Sequence, residues 1–155
     1  MSSGTTPYVL RPGEGRDISL ASHRQRRILI KADEEATQDA YRLFESTVPP
    51  SGQGAPPHIH ELAEEGFYVL EGALSFRLGE RDLVAEAGSF VLVPRGTAHA
   101  FHNPLPQPAR YLVIWSPASA GRYFEELWEL ERRSGGEPDA KAIAGLREKY
   151  HFVYL

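Results

Sequence analysis

The chain has 155 residues, 41% of them hydrophobic and 25% charged, with a formal charge of −4, a balance that suits one compact globular domain and excludes disordered or fibrous classes. No basic run offers a footprint for nucleic-acid phosphates, and apolar runs such as FVLV and YLVIW are far too short to cross a bilayer, so neither nucleic acid nor membrane is expected as a partner. With no cysteine in the chain, disulfides, catalytic thiols and thiolate metal sites are excluded, and any metal must be held by nitrogen and oxygen.

The N-terminal MSSGTTPYVL lacks a basic start followed by an apolar core, so no secretory signal is read and a cytoplasmic location is expected. Pro7, Pro12, Gly13 and Gly15 bracket Tyr8 to Leu10, which reads as an extended arm. RILIK (27–31) reads as a strand, DEEATQD (33–39) as an acidic, solvated turn, and 41–48 as a second strand closed by Pro49 and Pro50, which cannot donate to a continuing ladder. After the Gly/Pro stretch SGQGAPP come HIH, GFYVLEG, ALSFRL, DLVAEAG, SFVLVP, AHAFHN and ARYLVIW, all suited to strands and separated by Gly, Pro or charged turns. Short strands at such spacing predict a sandwich or barrel. Beyond Pro117 the period changes: Tyr123, Phe124, Leu127, Trp128 and Glu131 predict an amphipathic helix over 119–133. SGGEP ends it, Pro138 opens a second helix reaching about Tyr150, and HFVYL is either a last short strand or a docked tail.

His58 and His60 stand two apart in an extended segment, so both imidazoles face one side of the sheet. Glu65 lies beyond a tight corner and shares parity with Phe67 and Val69, facing the interior, while neighbouring Glu64 is the alternative carboxylate. His99 follows the turn PRGTA and completes a set of three imidazoles and one carboxylate, suited to one divalent first-row metal (Mn, Fe, Co, Ni, Cu or Zn) with room for water or substrate. His102, three residues after His99, points to the other face, and His23 and His151 read as surface or packing residues. Phe67, Phe76, Phe90, Phe101 and Trp115 are core or cavity residues; Phe67 and Phe101 are the better pocket candidates, since each shares parity with a ligand.

Residues 52–72 read GQGAPPHIHELAEEGFYVLEG and residues 88–103 read GSFVLVPRGTAHAFHN. These fit the two cupin motifs, GxxxxxHxHxxxxExxxxxxG and GxxxxxPxGxxHxxxN, at all ten specified positions, so the chain resembles a single-domain cupin. The resemblance implies an all-β jelly-roll barrel, with a core at about 27–117, a helical C-terminal appendage at 118–155, and one metal deep in one end. PPHIH, EGFYVLEG, FVLVPRGTAHAF and FEELWEL further resemble the cupins grouped with bacterial quercetinases. That narrower resemblance implies a dioxygenase acting on a flavonol or similar enolisable aromatic compound, with Glu65 as both metal ligand and acceptor of the substrate hydroxyl proton. It also implies a homodimer, for which Tyr8 to Leu10 and RILIK are the candidate interface elements. The same site could instead serve a non-oxidative isomerase, cyclase or decarboxylase, or a ligand-binding cupin without turnover.

Overall fold

The structure is a computed structural model that describes residues 6–20 and 26–155. The chain runs β1 (Arg16–Asp17), β2 (Arg27–Ala32), α1 (Glu34–Thr37), β3 (Arg42–Val48), β4 (Gln53–His60), β5 (Glu64–Glu71), β6 (Ala73–Leu78), β7 (Arg81–Glu86), β8 (Phe90–Val93), β9 (His99–His102) and β10 (Ala109–Ser116). A 3₁₀ turn (Ala118–Gly121) then leads into α2 (Arg122–Ser134), α3 (Ala140–Lys149) and β11 (Phe152–Tyr154). The strands form two antiparallel sheets, ordered β1-β2-β3-β10-β5-β8 and β11-β4-β9-β6-β7. The expected jelly roll is present, but as two facing sheets, with no ladder joining them into a closed barrel among the described residues.

Alternation decides which sheet face is inside. In β3 every second residue from Arg42 to Val48 is buried, and in β10 the buried set is Ala109, Tyr111, Val113 and Trp115. These side chains meet Phe67, Val69, Leu74, Phe76 and Phe101 in one apolar core. At about 25 cal/mol per Å², burial of such side chains is the main stabilising contribution.

Two local readings change, and one left open is decided. The acidic stretch forms a short helix, α1, because the Asp33 side chain accepts the Ala36 N–H and so caps it. The stretch SGQGAPP is not a break, since β4 begins at Gln53. Register shifts at Gln53/Ala55 and Ala55/His58 accommodate Pro56 and Pro57, which lack N–H groups for the ladder. HFVYL becomes a strand, and β11 pairs Phe152 with His60 and Tyr154 with His58. The Tyr8 to Leu10 arm is exposed and irregular, whereas β2 is held between β1 and β3 with Ile28, Leu29 and Ile30 buried. His23 lies outside the described residues.

The helices are tied to the sandwich by charge as well as by apolar contact. Arg42 is fully buried, and its guanidinium pairs with Glu34 on one side and Glu125 of α2 on the other. Glu125 also receives Arg16, so one carboxylate joins the N-terminal segment, the first sheet and α2. Replacing Glu125 by Gln removes half of the countercharge from a guanidinium that cannot reach water. The expected result is a loss of about 1.5–3 kcal/mol of unfolding free energy, read as a lower denaturant midpoint at unchanged slope. An unchanged midpoint would show that Glu34 suffices.

Candidate metal centre

The two sheets contribute unequal parts of one cluster. His58 and His60 project inward from β4, His99 opposes His58 across the β4–β9 ladder, and Glu65 enters from β5 in the other sheet. All four residues are buried, and one donor atom from each lies within 4.8 Å of the others. His58 Nε2 is 2.9 Å from His60 Nε2, while Glu65 Oε2 is 2.8 Å from His99 Nε2 and 3.2 Å from His60 Nε2. Ligands about 2.0–2.1 Å from a common ion stand about 3 Å apart, so these spacings fit a divalent metal.

Backbone carbonyls orient two of the rings. His58 Nδ1 lies 2.7 Å from the Pro56 carbonyl and donates to it, and His99 Nδ1 does the same to Thr97 at 2.9 Å. Each imidazole therefore turns Nε2 towards the centre, as a second contact on a metal-ligating histidine does. His60 Nδ1 is buried and has no hydrogen-bond partner among the described residues. The motif turn helps to place this group: the Gly96 N–H donates to the His60 carbonyl at 2.8 Å, and Gly96 has φ +74, a conformation costly for any residue with a Cβ. Asn103, the last motif residue, is fully buried; its amide donates to the Pro49 and Gln107 carbonyls and its oxygen accepts the Leu105 N–H. That residue fixes loops and stands outside the ligand set.

The charges follow from these contacts. Burial, with His99 and His60 nearby, pushes the His58 pKa down to about 4, which leaves its lone pair available at neutral pH. For Glu65, burial works upwards, but His60 and His99 outweigh it and hold the carboxyl well below the usual range. For His99, burial works downwards, but hydrogen bonding to Glu65 and its charge, with help from the Thr97 carbonyl, raises the pKa overall. Below the raised His99 pKa, Glu65 and His99 form an ion pair across the two sheets.

An apolar cavity of about 30 Å³ adjoins the cluster, lined by Phe67, Phe101, Trp115, Phe152 and Tyr154 among others. Phe67 and Phe101 stand 5.3 Å apart, edge to face. The sequence did not single out Phe152 and Tyr154 for this wall; their alternation in HFVYL was the available signal. Phe152 packs on His60 at 4.2 Å between ring centroids, and Tyr154 stacks near His58 at 5.7 Å. Phe76 packs in the core against Phe67 and Phe101, whereas Phe90 is exposed on the outer face. Glu64 points away from the cluster towards Arg95, His102 is exposed, and His151 lies near Glu61 at the surface. A larger, open groove of about 690 Å³ runs between the N-terminal segment and α2–α3, and holds none of the four clustered residues. Its Arg16, Asp33, Glu34, Arg122 and Glu125 pair largely with one another.

Residues 44–115 match the cupin domain family. Quercetin 2,3-dioxygenase of Bacillus subtilis is 31% identical over 101 residues, which is 65% of this chain and 29% of that protein. An uncharacterized protein of Streptomyces coelicolor is 34% identical over 61 residues, 39% of this chain and 54% of that protein. The chain therefore spans less than two thirds of either relative. Among solved structures, the polyketide cyclase RemF from Streptomyces resistomycificus superposes with a TM-score of 0.61 at 27% identity, covering 71% of this chain and 79% of that one. A Thermotoga maritima protein described as a predicted oxalate decarboxylase gives 0.63 at 22% identity, covering 71% and 99%, and so shows the shared fold. In the described residues no helix is long and apolar enough to cross a membrane. With the two motifs, the two-sheet jelly roll and the family match in agreement, residues 44–115 form a cupin domain.

Proposed function

We propose that this chain is a metal-dependent enzyme of the quercetinase type, a dioxygenase acting on a flavonol or a similar enolisable small molecule. The observation that carries the proposal is the convergence of three imidazole nitrogens and one carboxylate beside an aromatic-lined cavity, in a chain 31% identical to a quercetin dioxygenase over 101 residues. His58, His60, Glu65 and His99 would hold the ion, which supplies Lewis acidity towards a substrate hydroxyl when bound. Glu65 then accepts the hydroxyl proton, and Phe67 and Phe101 hold the apolar part of the substrate and keep water away. A small-molecule substrate, a homodimer and a cytoplasmic location belong to the same proposal.

Cavity size bears on the substrate. About 30 Å³ is an order of magnitude below the roughly 300–1,000 Å³ of sites for drug-sized ligands. A flavonol enters only if Phe67, Phe101 or the β11 aromatics give way, whereas a smaller enol needs less rearrangement. A second reading is non-oxidative chemistry on an enol: RemF, a polyketide cyclase, superposes at 27% identity, and the same donors can act without oxygen. A third is ligand binding without turnover. Oxygen uptake, measured over flavonols and smaller enols with the Mn, Fe, Co, Ni and Cu forms, separates the first from the second. Any product at all separates both from the third. No uptake in any pairing, with metal bound, overturns the dioxygenase reading.

The purified protein is expected to carry close to one divalent metal per chain by elemental analysis, and chelation is expected to lower the melting temperature, because the ion binds the folded state. Full occupancy in a protein with both His58→Ala and His99→Ala would rule out this ligand set. Because Glu65 raises the His99 pKa above the ordinary imidazole value, binding Zn²⁺ near pH 6.5 is expected to release a proton. The release should fade as pH rises through the raised His99 pKa, as seen by calorimetry in buffers of different ionisation enthalpy.

Glu65→Gln keeps an oxygen towards the metal and removes the base. Metal content should largely persist while turnover falls by about 10² or more. Unchanged turnover in the metal-loaded variant would assign the proton to another group.

A further inference from the structure

Among the described residues two arginines are buried, Arg42 and Arg26, and of these Arg42 alone has a countercharge. Arg42 is neutralised by Glu34 and Glu125. Arg26 is 8% exposed, and its guanidinium donates to three neutral oxygens: Ser46 Oγ at 3.2 Å, the Gly54 carbonyl at 2.8 Å and the Tyr111 hydroxyl at 2.7 Å. Among the described residues no carboxylate lies within ion-pair distance of it, and the ten residues outside them, MSSGT and ASHRQ, contain no Asp or Glu. The side chain lines the same cavity as His58, His60 and Glu65, with its guanidinium carbon 5.5 Å from the Phe101 ring centre.

A guanidinium stays charged at any pH the protein meets and carries five N–H donors in a rigid fork. Three contacts are made here, so donor capacity remains. Burying such a cation among neutral acceptors is unfavourable unless an anion joins it. Glu65, the one carboxylate lining the cavity, is engaged by His60 and His99 at 3.2 and 2.8 Å. The cavity therefore ends in a positive charge with nothing negative against it.

We infer that Arg26 is a substrate-recognition residue and that the ligand of this cavity is a small organic anion whose carboxylate meets the Arg26 guanidinium while its oxygen-bearing end faces the His58, His60, Glu65 and His99 group. The inference deepens the proposed function and rests on it for the second half of that placement. The match is chemical. A carboxylate presents two acceptors to a fork of donors, whereas an amide of the same shape presents one acceptor and its own N–H groups. The position also selects by size, because Arg26 and Phe101 both line the cavity and both are packed against Gly54, through its carbonyl and its Cα. A Cβ on Gly54 would lie 2.0 Å from the Phe101 ring, so this wall has no slack.

The test compares acids with their amides: pyruvate with pyruvamide, and salicylate with salicylamide. Binding is read by calorimetry and by melting temperature, on metal-loaded and metal-free protein. At least one acid is expected to bind about tenfold or more tighter than its amide, and to keep that preference without metal. Arg26→Met should abolish the preference, and Arg26→Lys, which keeps the charge without the fork, should retain part of it. If neither acid is preferred in the unmodified protein, or if the preference appears only with metal bound or survives in Arg26→Met, the inference is overturned. The unmodified protein alone can overturn it, so a variant that does not fold leaves the test intact. A lost acid preference with oxygen uptake intact removes this inference alone. An acid preference without oxygen uptake removes the dioxygenase reading alone.

Discussion

The structure depends on the buried polar contact of Glu65 with His60 and His99, made between two sheets whose facing surfaces are largely apolar. Glu65 reaches from β5 to His60 and His99 on the opposite sheet, and it does so where water cannot screen the charge. A carboxylate in that position is tolerated only because imidazoles sit within hydrogen-bond distance, and the imidazoles are held only because carbonyls at Pro56 and Thr97 fix two of them. The surrounding shell of Phe67, Trp115 and Phe152 keeps the group dry. The features that make the cluster costly to bury in isolation are those that make it a strong donor set for an ion.

Much of this arrangement was legible in the chain. The spacing of His58, His60, Glu65 and His99 needed only the two-residue period of strands and one corner to place all four on an interior face. Phe67 and Phe101 followed from the same parity. Asp33 capping α1 was missed because a four-residue helix has too little periodicity to separate from a turn. Strand β4 was shortened in the reading because prolines usually end a ladder, and the register shifts that absorb them are a property of pairing with β9. The jelly roll itself was legible from the two motifs, whereas the order of strands within its two sheets depends on ladders that no local pattern encodes.

Arg26 was invisible for another reason. It belongs to no motif, and an arginine next to RILIK reads as an ordinary surface charge at a strand end. Its burial arises from contacts distant in sequence, with Ser46, Gly54 and Tyr111 contributed by three different strands. Arg42 carries the opposite lesson: an inward parity at a strand start places a charge in the interior, and α1 and α2 then supply the acids. Buried charge in this fold is settled by what later elements bring to it.

The pairing of β11 with β4 ties the ligand strand to the far end of the sequence. Phe152 and Tyr154 lie beside His60 and His58, yet they are translated more than ninety residues later. At about 5–20 residues per second, β4 waits on the order of ten seconds on the ribosome without that neighbour. During this interval β4 presents an unpaired edge and the two histidines lack their aromatic cover, so an ion captured early would be held by a half-built, wet site. Durable loading of an ion at this site would therefore follow translation of residues 152–154.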